Sequence, residues 1–356
     1  MDSPFSHLAI PLDLSPMEAV RASEIPSGEG WQFEPKWDGF RCLVFRDGDA
    51  VELMSKSGKP LARYFPEMAE AIAKLAQPRL VLDGELVLPV GQTLSFAALQ
   101  LRLHPAASRI EKLSRATPAQ LMLFDCLQIG GEVLLGRPLT GRREALESFM
   151  RKMAGPRLHL SPATGDPRVA RAWFERSGKA LDGIVAKRLD APYQPGERAM
   201  VKVKQQRTAD CVVGGYRKRK SGGIGSLLLG LYDRSGKLDY VGFTSSFSDE
   251  ERKTQQTKLA GDEGPSPFTG SSPGGTSRWS RGRESSEWVP LKGDLVAEVV
   301  YDQVTGGRFR HGTTFLRWRN EKRPDQCTRD QLEHELSPAA LEATIMKAAG
   351  KRQTHA

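Results

Sequence analysis

Apolar and polar positions along the chain change rhythm after residue 206. Before that point, short alternating or near-continuous apolar runs at 51–54, 80–88, 121–124, 183–186 and 200–203 predict strands. Stretches at 65–75, 140–153 and 168–177 carry apolar residues at three- and four-residue spacing and predict helices. Strands and helices mixed in this order read as an α+β domain with mostly antiparallel sheets. From residue 209 onward short strands recur at 211–216, 226–232, 238–243 and 295–301, interrupted by one helical stretch at 249–259. That spacing fits a small five-stranded barrel of the OB type. The expected organisation is a first domain at 1–206, a second at 207–335 and a tail at 336–356. The Gly/Ser/Pro-rich segment 261–276 reads as a long loop.

Several charged residues sit where this pattern predicts burial. Lys36 opens Lys36-Trp37-Asp38-Gly39-Phe40-Arg41, directly after Glu34-Pro35. A lysine amine, with a free pKa of roughly 10.4, must lose its proton before it can act as a nucleophile. Neighbouring cations, a metal and partial burial all push it that way. An ordinary strand-end ion pair of Lys36 with Asp38 would use the same residues. Arg41 is a permanently charged fork suited to phosphate or ribose. Ser55-Lys56-Ser57-Gly58-Lys59 is a basic turn after a strand, equally readable as a solvated hairpin. Leu82-Asp83-Gly84-Glu85-Leu86 places two carboxylates in an apolar run, where an unpaired acid is costly.

Phe124-Asp125 closes the 120–124 run and offers either a stacking face for a purine or simple core packing. Asp182-Gly183-Ile184-Val185-Ala186-Lys187 puts charge at both ends of a short apolar strand. In Val201-Lys202-Val203-Lys204 the period of two places both lysines on one face, where they repel unless something anionic lies between them.

Taken in order, these segments resemble the covalent nucleotidyltransferase superfamily of ATP-dependent DNA ligases, RNA ligases and capping enzymes. The resemblance is nearest to the short stand-alone bacterial repair ligases of the C type and runs from about residue 9 to about residue 326. It implies an adenylation domain of ATP-grasp-like antiparallel sheets followed by an OB-fold domain. It implies Lys36 as the residue that takes up AMP from ATP, with Lys202 and Lys204 on the α-phosphate. Glu85 would bind the ribose 2′-OH, Phe124 would stack on adenine, and backbone groups near Glu34 would read the adenine edge. Arg41 and Lys56 become ribose or phosphate contacts, and Lys187 completes the nucleotide site. Asp182 with Glu85 would hold Mg²⁺ or Mn²⁺.

The C-terminal motif falls on Phe315-Leu316-Arg317-Trp318-Arg319-Asn320-Glu321-Lys322, with Arg319 and Lys322 as pyrophosphate contacts. Two positions depart from the family's pattern. Lys56 stands where many ligases carry arginine, and Asp182 where the motif usually has the longer glutamate. The implied partners are nicked duplex DNA and a separately encoded repair polymerase or DNA-end-binding protein, the ligase itself being a monomer. The 261–276 loop would then stay mobile until DNA binds. Related readings with the same lysine chemistry are an RNA ligase or a capping guanylyltransferase. A different class is a non-catalytic OB-fold DNA-binding protein whose lysine site has decayed.

Composition narrows the picture further. The 356 residues carry a formal charge of +9, of which +4 falls in 1–206 and +5 in 207–356, as expected if both domains line one polyanion. Cys42, Cys126, Cys211 and Cys327 are too dispersed for a metal knuckle and read as reduced core thiols. The six histidines show no ligand spacing, and there is no GxxxxGK[ST] loop, so ATP would depend on the lysine site. No charged-then-apolar leader or membrane-length apolar run occurs, so the expected location is the bacterial cytoplasm, at the nucleoid.

Overall fold

The computed structural model describes residues 4–90, 93–153, 155–176, 181–204, 207–219, 222–273, 287–302 and 304–332. Residues 4–204 and 207–332 form two compact units. Among the described residues no helix is long and apolar enough to cross a membrane.

The first unit is built on two sheets. One has the strand order Leu158–Leu160, Gln120–Ile129, Arg79–Val87, Phe40–Asp47, Ala50–Ser55. Along its middle strands successive residues go to opposite faces, and both faces are buried. Cys42, Val44, Leu80 and Leu82 pack under the helices Pro66–Ala73 and Leu139–Met153 with Met68, Ile72, Leu146 and Phe149. Leu43, Phe45, Val81 and Leu127 face the other way, against Ile10, Met17, Tyr193 and Met200. Burial on two sides explains the near-continuous apolar reading of Arg79–Val87. Each fully buried side chain contributes roughly 1.5–3 kcal/mol, which outweighs the roughly 0.5–1 kcal/mol that Gly84 costs the strand.

The second sheet has the order Ala19–Ala22, Met200–Val203, Gly183–Arg188, Trp31–Lys36, with the first pair parallel and the others antiparallel. The strands Ala19–Ala22, Trp31–Lys36 and Phe40–Asp47 were not among the expected ones. The first is only four residues long, and Pro35 breaks the apolar rhythm of the second. The Gln120–Ile129 strand runs past the expected end at residue 124, so Phe124 lies mid-strand.

In the second unit a five-stranded sheet runs Leu238–Thr244, Ile224–Tyr232, Arg207–Lys218, Val296–Tyr301, Thr314–Trp318. Its two edges meet where Thr313 N–H donates to Phe243 C=O at 2.9 Å and Thr244 Oγ1 donates to Thr313 C=O at 2.9 Å. The closed sheet is an OB-type barrel, with Val212, Leu227, Leu229, Val241 and Val299 in its core. The helix Asp249–Leu259 begins with a capping box between Ser248 and Glu251.

Residues 261–273 do form a loop, but it is pinned. Phe268 is buried, stacks edge-on against Tyr240 and Trp288, and occupies the space a Cβ at Gly214 would need, 2.5 Å from its ring. Residues 261–273 thus pack against the barrel through Phe268, and 274–276 lie outside the described residues. The four cysteines are buried free thiols.

Gly183 carries a positional demand that the site depends on. Its φ is +137°, and a Cβ there would lie 2.0 Å from Val203 C=O. An alanine must push its strand away from Val203 and Lys204, where Lys204 meets Asp182. We expect Gly183→Ala to cost about 2 kcal/mol or more, read as a lowered denaturation midpoint. An unchanged midpoint would contradict this close approach.

Candidate active site

Strand register in the first unit's smaller sheet brings the charged residues together. Lys36 ends its strand opposite Gly183, and its C=O accepts a hydrogen bond from Asp182 N–H at 2.9 Å. The Asp182 carboxylate then meets Lys36 Nζ at 2.6 Å. On the other side Ile184 pairs with Val203, so Lys204 follows directly and its Nζ lies 3.3 Å from the same carboxylate oxygen. Asp182 therefore bridges Lys36 and Lys204, whereas it makes no ion pair with Lys202, the other lysine expected on the Lys204 face. An ion pair of Lys36 does exist, with Asp182 as its partner across the sheet.

Burial alone would depress the Lys36 amine. The charge and hydrogen bond of Asp182, then the charges of Glu85 and Asp38, outweigh burial and hold it above its ordinary value. The expectation that the surroundings depress this amine is therefore corrected for the free chain: Lys36 rests protonated. Lys202 goes the other way, lowered by burial and by the charges of Lys36, Lys204 and Lys56. Burial also pushes the Glu85 carboxyl up to about 7, against the pull of Lys36 and Arg41.

These groups surround a cavity of about 210 Å³ lined by Glu34, Lys36, Arg41, Lys56, Glu85, Phe124, Lys187 and Lys202 together with Met17 and Trp37. It is smaller than the roughly 300–1,000 Å³ usual for ligand sites, and several of its charged side chains are engaged in ion pairs. Lys56 pairs with Glu18 at 3.0 Å. Arg41 donates to both oxygens of fully buried Asp83, at 2.6 and 2.5 Å, with its guanidinium 4.7 Å from the centre of the Phe124 ring.

Lys187 lies 4.5 Å from the same ring and 2.9 Å from Glu34, whose other oxygen accepts from Gln32 at 2.8 Å. Lys187 Nζ has no aligned hydrogen bond, so its contact with Glu34 is one of charge. Asp125, next to Phe124, is paired with buried Arg142 through two hydrogen bonds, at 2.8 and 3.1 Å. Its place is inside the core, where it fixes the strand that presents Phe124.

Sequence reading did not assign Asp83, Tyr193 or Met17 a role. Asp83 stood within the LDGEL motif, but its partner Arg41 is 42 residues away and only the strand pairing joins them. Arg319 and Lys322 belong to the second unit, where both bind Asp210, at 2.8 and 2.6 Å. Among the described residues no group of three or more His, Cys, Asp or Glu forms a preassembled metal site. Asp182, paired with Lys36, and Glu85, which lines the same cavity, offer hard oxygen donors of the kind that suit Mg²⁺ or Mn²⁺ once phosphate oxygens and water complete the shell.

Glu34 and Lys187 are 2 % and 4 % exposed, so each depends on the other for charge compensation. Lys187→Met should destabilise the first unit by about 3–5 kcal/mol by stranding Glu34, and adding Glu34→Gln should recover part of that loss. Denaturant midpoints of the two variants decide it, and a double variant less stable than the single one would contradict the pairing.

Known families match most of the chain. Residues 12–204 match the family described as ATP dependent DNA ligase domain, and residues 220–322 match the ATP dependent DNA ligase C terminal region. The chain is 46 % identical over 337 residues to DNA ligase C2 of Mycolicibacterium smegmatis, covering 90 % of this chain and 94 % of that one. It is 43 % identical over 342 residues to DNA ligase C of Mycobacterium tuberculosis, covering 91 % and 95 %. A solved structure described as a Lig E DNA ligase shares the fold at TM-score 0.53 with 18 % identity, covering 85 % of this chain and 99 % of that one.

Proposed function

The chain belongs to the ATP-dependent DNA ligases, and we propose that Lys36 is the residue it adenylylates. What supports this is one convergence: Lys36, Arg41, Glu85, Phe124, Lys187 and Lys202 around a single cavity, with Asp182 and Lys204 directly behind Lys36. A non-catalytic OB-fold protein has no need of that arrangement.

In the first step Lys36 Nζ attacks the α-phosphorus of ATP. The bond to the bridging oxygen breaks, pyrophosphate leaves, and a phosphoramidate joins Lys36 to AMP. Nζ must first lose a proton to water, which the ion pair with Asp182 at 2.6 Å opposes until that pair is loosened. Phe124 stacks on adenine, backbone groups of Glu34 meet its edge, and Glu85 takes the ribose 2′-OH. Lys202 and Lys204 draw charge from the α-phosphate, and their positions are set by strand register before ATP arrives. Arg41 and Lys56 bind ribose or phosphate, and Lys187, 4.5 Å from the centre of the Phe124 ring, completes the nucleotide site.

A divalent cation held by Asp182 and Glu85 would supply charge neutralisation at the phosphates. It would also compete with Lys36 for Asp182 and so loosen the ion pair that keeps the nucleophile protonated at rest. Arg319 and Lys322 would exchange Asp210 for pyrophosphate.

AMP then passes to the 5′-phosphate at a nick, and the 3′-OH displaces AMP to seal the strand. The finer assignments are proposals of the same kind: a monomer in the bacterial cytoplasm, at the nucleoid, served by a separately encoded repair polymerase or DNA-end-binding protein.

Incubation with Mg²⁺ and α-labelled ATP, with labelled GTP in parallel, should leave label on the denatured protein from ATP alone. Lys36→Ala and Lys36→Arg should both abolish it, since a guanidinium stays protonated. Label retained by either variant would move the nucleophile elsewhere. Label from GTP alone would favour a capping enzyme, and sealing of nicked RNA but not nicked DNA an RNA ligase. With nicked DNA, binding should weaken steeply as salt rises, through counterion release, and a flat response would deny a basic DNA-binding surface.

A further inference from the structure

Arg41 lines the nucleotide cavity with its guanidinium over the Phe124 ring, and the groups that orient it are buried. Asp83 is fully buried and carries three hydrogen bonds. Two come from Arg41, and the third comes from the Tyr193 hydroxyl, at 2.7 Å on the oxygen that also takes Arg41 Nη2. The same hydroxyl accepts from Met17 N–H at 3.0 Å. Arg41 Nη2 donates to Met17 C=O at 3.3 Å, so Arg41, Asp83, Tyr193 and Met17 close a ring of hydrogen bonds. Met17 itself lines the cavity, as do its neighbours Pro16, Glu18 and Ala19.

Tyr193 is 4 % exposed, and nothing in the proposed chemistry requires a phenol there. Its position is nevertheless well determined. Its backbone N–H donates to Leu135 C=O at 2.9 Å, and its ring lies 5.7 Å from the Arg142 guanidinium that also grips Asp125. A core position needing only bulk is filled equally well by phenylalanine, whereas this hydroxyl uses both its donor and its acceptor capacity.

We infer that Tyr193 is a positioning residue for nucleotidyl transfer, its hydroxyl fixing the Asp83 carboxylate and through it the orientation in which Arg41 meets ribose or phosphate. The inference rests on the reading of Arg41 as a nucleotide or nick contact. Without the hydroxyl, Asp83 keeps Arg41 but loses the bond that sets its rotamer, and Met17 N–H loses its acceptor. The Pro16–Ala19 side of the cavity and the guanidinium would relax together.

The test is a double-mutant cycle on the full chain with Tyr193→Phe and Arg41→Ala, following lysine adenylylation by α-labelled ATP and, separately, closure of a pre-adenylylated nick. Thermal denaturation confirms that each variant is folded at the assay temperature. Tyr193→Phe should slow, by roughly tenfold, the same step that Arg41→Ala slows, as expected for a lost hydrogen bond to a charged group. It should add less than twofold in the Arg41→Ala background, because its effect passes through Arg41. A merely structural role would lower the melting temperature and leave both steps intact.

Wild-type rates in Tyr193→Phe, beside a slowed Arg41→Ala, would overturn the inference and leave the assignment of the site standing. A full tenfold loss persisting in the Arg41→Ala background would also overturn it. Wild-type rates in Arg41→Ala would instead remove the role of Arg41, and with it the premise.

Discussion

The carboxylate of Asp182 lies between two ammonium groups, 2.6 Å from Lys36 and 3.3 Å from Lys204, and the rest of the site is arranged around that contact. It exists because three strands end side by side in a fixed register, with Gly183 opposite Lys36 and Ile184 opposite Val203. A slip of one residue would turn every side chain of a strand to the other face and separate the three charges. The anion that holds together lysines from two different strands is also the group that keeps the nucleophile protonated until a substrate takes its place. Resting stability and latent reactivity are here properties of a single ion cluster.

The same logic recurs around the cavity. Arg41 rests on Asp83, Lys187 on Glu34, Lys56 on Glu18 and, in the second unit, Arg319 and Lys322 on Asp210. Each of these cations has a carboxylate partner in the free chain. A buried charge without a partner costs several kcal/mol, so a site meant to receive a polyanion needs internal counter-ions beforehand. An incoming nucleotide then exchanges one set of anions for another, a smaller free-energy change than desolvating bare charges.

Much of this was legible in the sequence. The α+β reading of the first unit and the OB-type barrel of the second follow from apolar rhythm, and the comparisons bear out both the fold and the ligase family. The candidate residues stood out because lysines and carboxylates in apolar strands demand a reason, as with Glu85 between Leu82 and Leu86, or Lys187 closing an apolar run. Pairings across long sequence separations were not legible. Asp83 with Arg41 and with Tyr193, Asp125 with Arg142, and Phe268 beneath Gly214 depend on strand order and loop path, which local pattern does not encode. The resting charge of Lys36 was misread for the same reason: the sequence displays the neighbours that would lower it, whereas Asp182 arrives from 146 residues away.

The most direct test is a crystal structure of the protein with Mg²⁺ and an ATP analogue whose α,β-bridge is a methylene, so that the lysine can approach but pyrophosphate cannot leave. This account predicts adenine on Phe124, Glu85 on the ribose and Lys36 Nζ withdrawn from Asp182 to roughly 3–3.5 Å from the α-phosphorus, opposite the leaving group. A nucleotide bound elsewhere, or bound here with Lys36 still on Asp182 and turned from phosphorus, would contradict it.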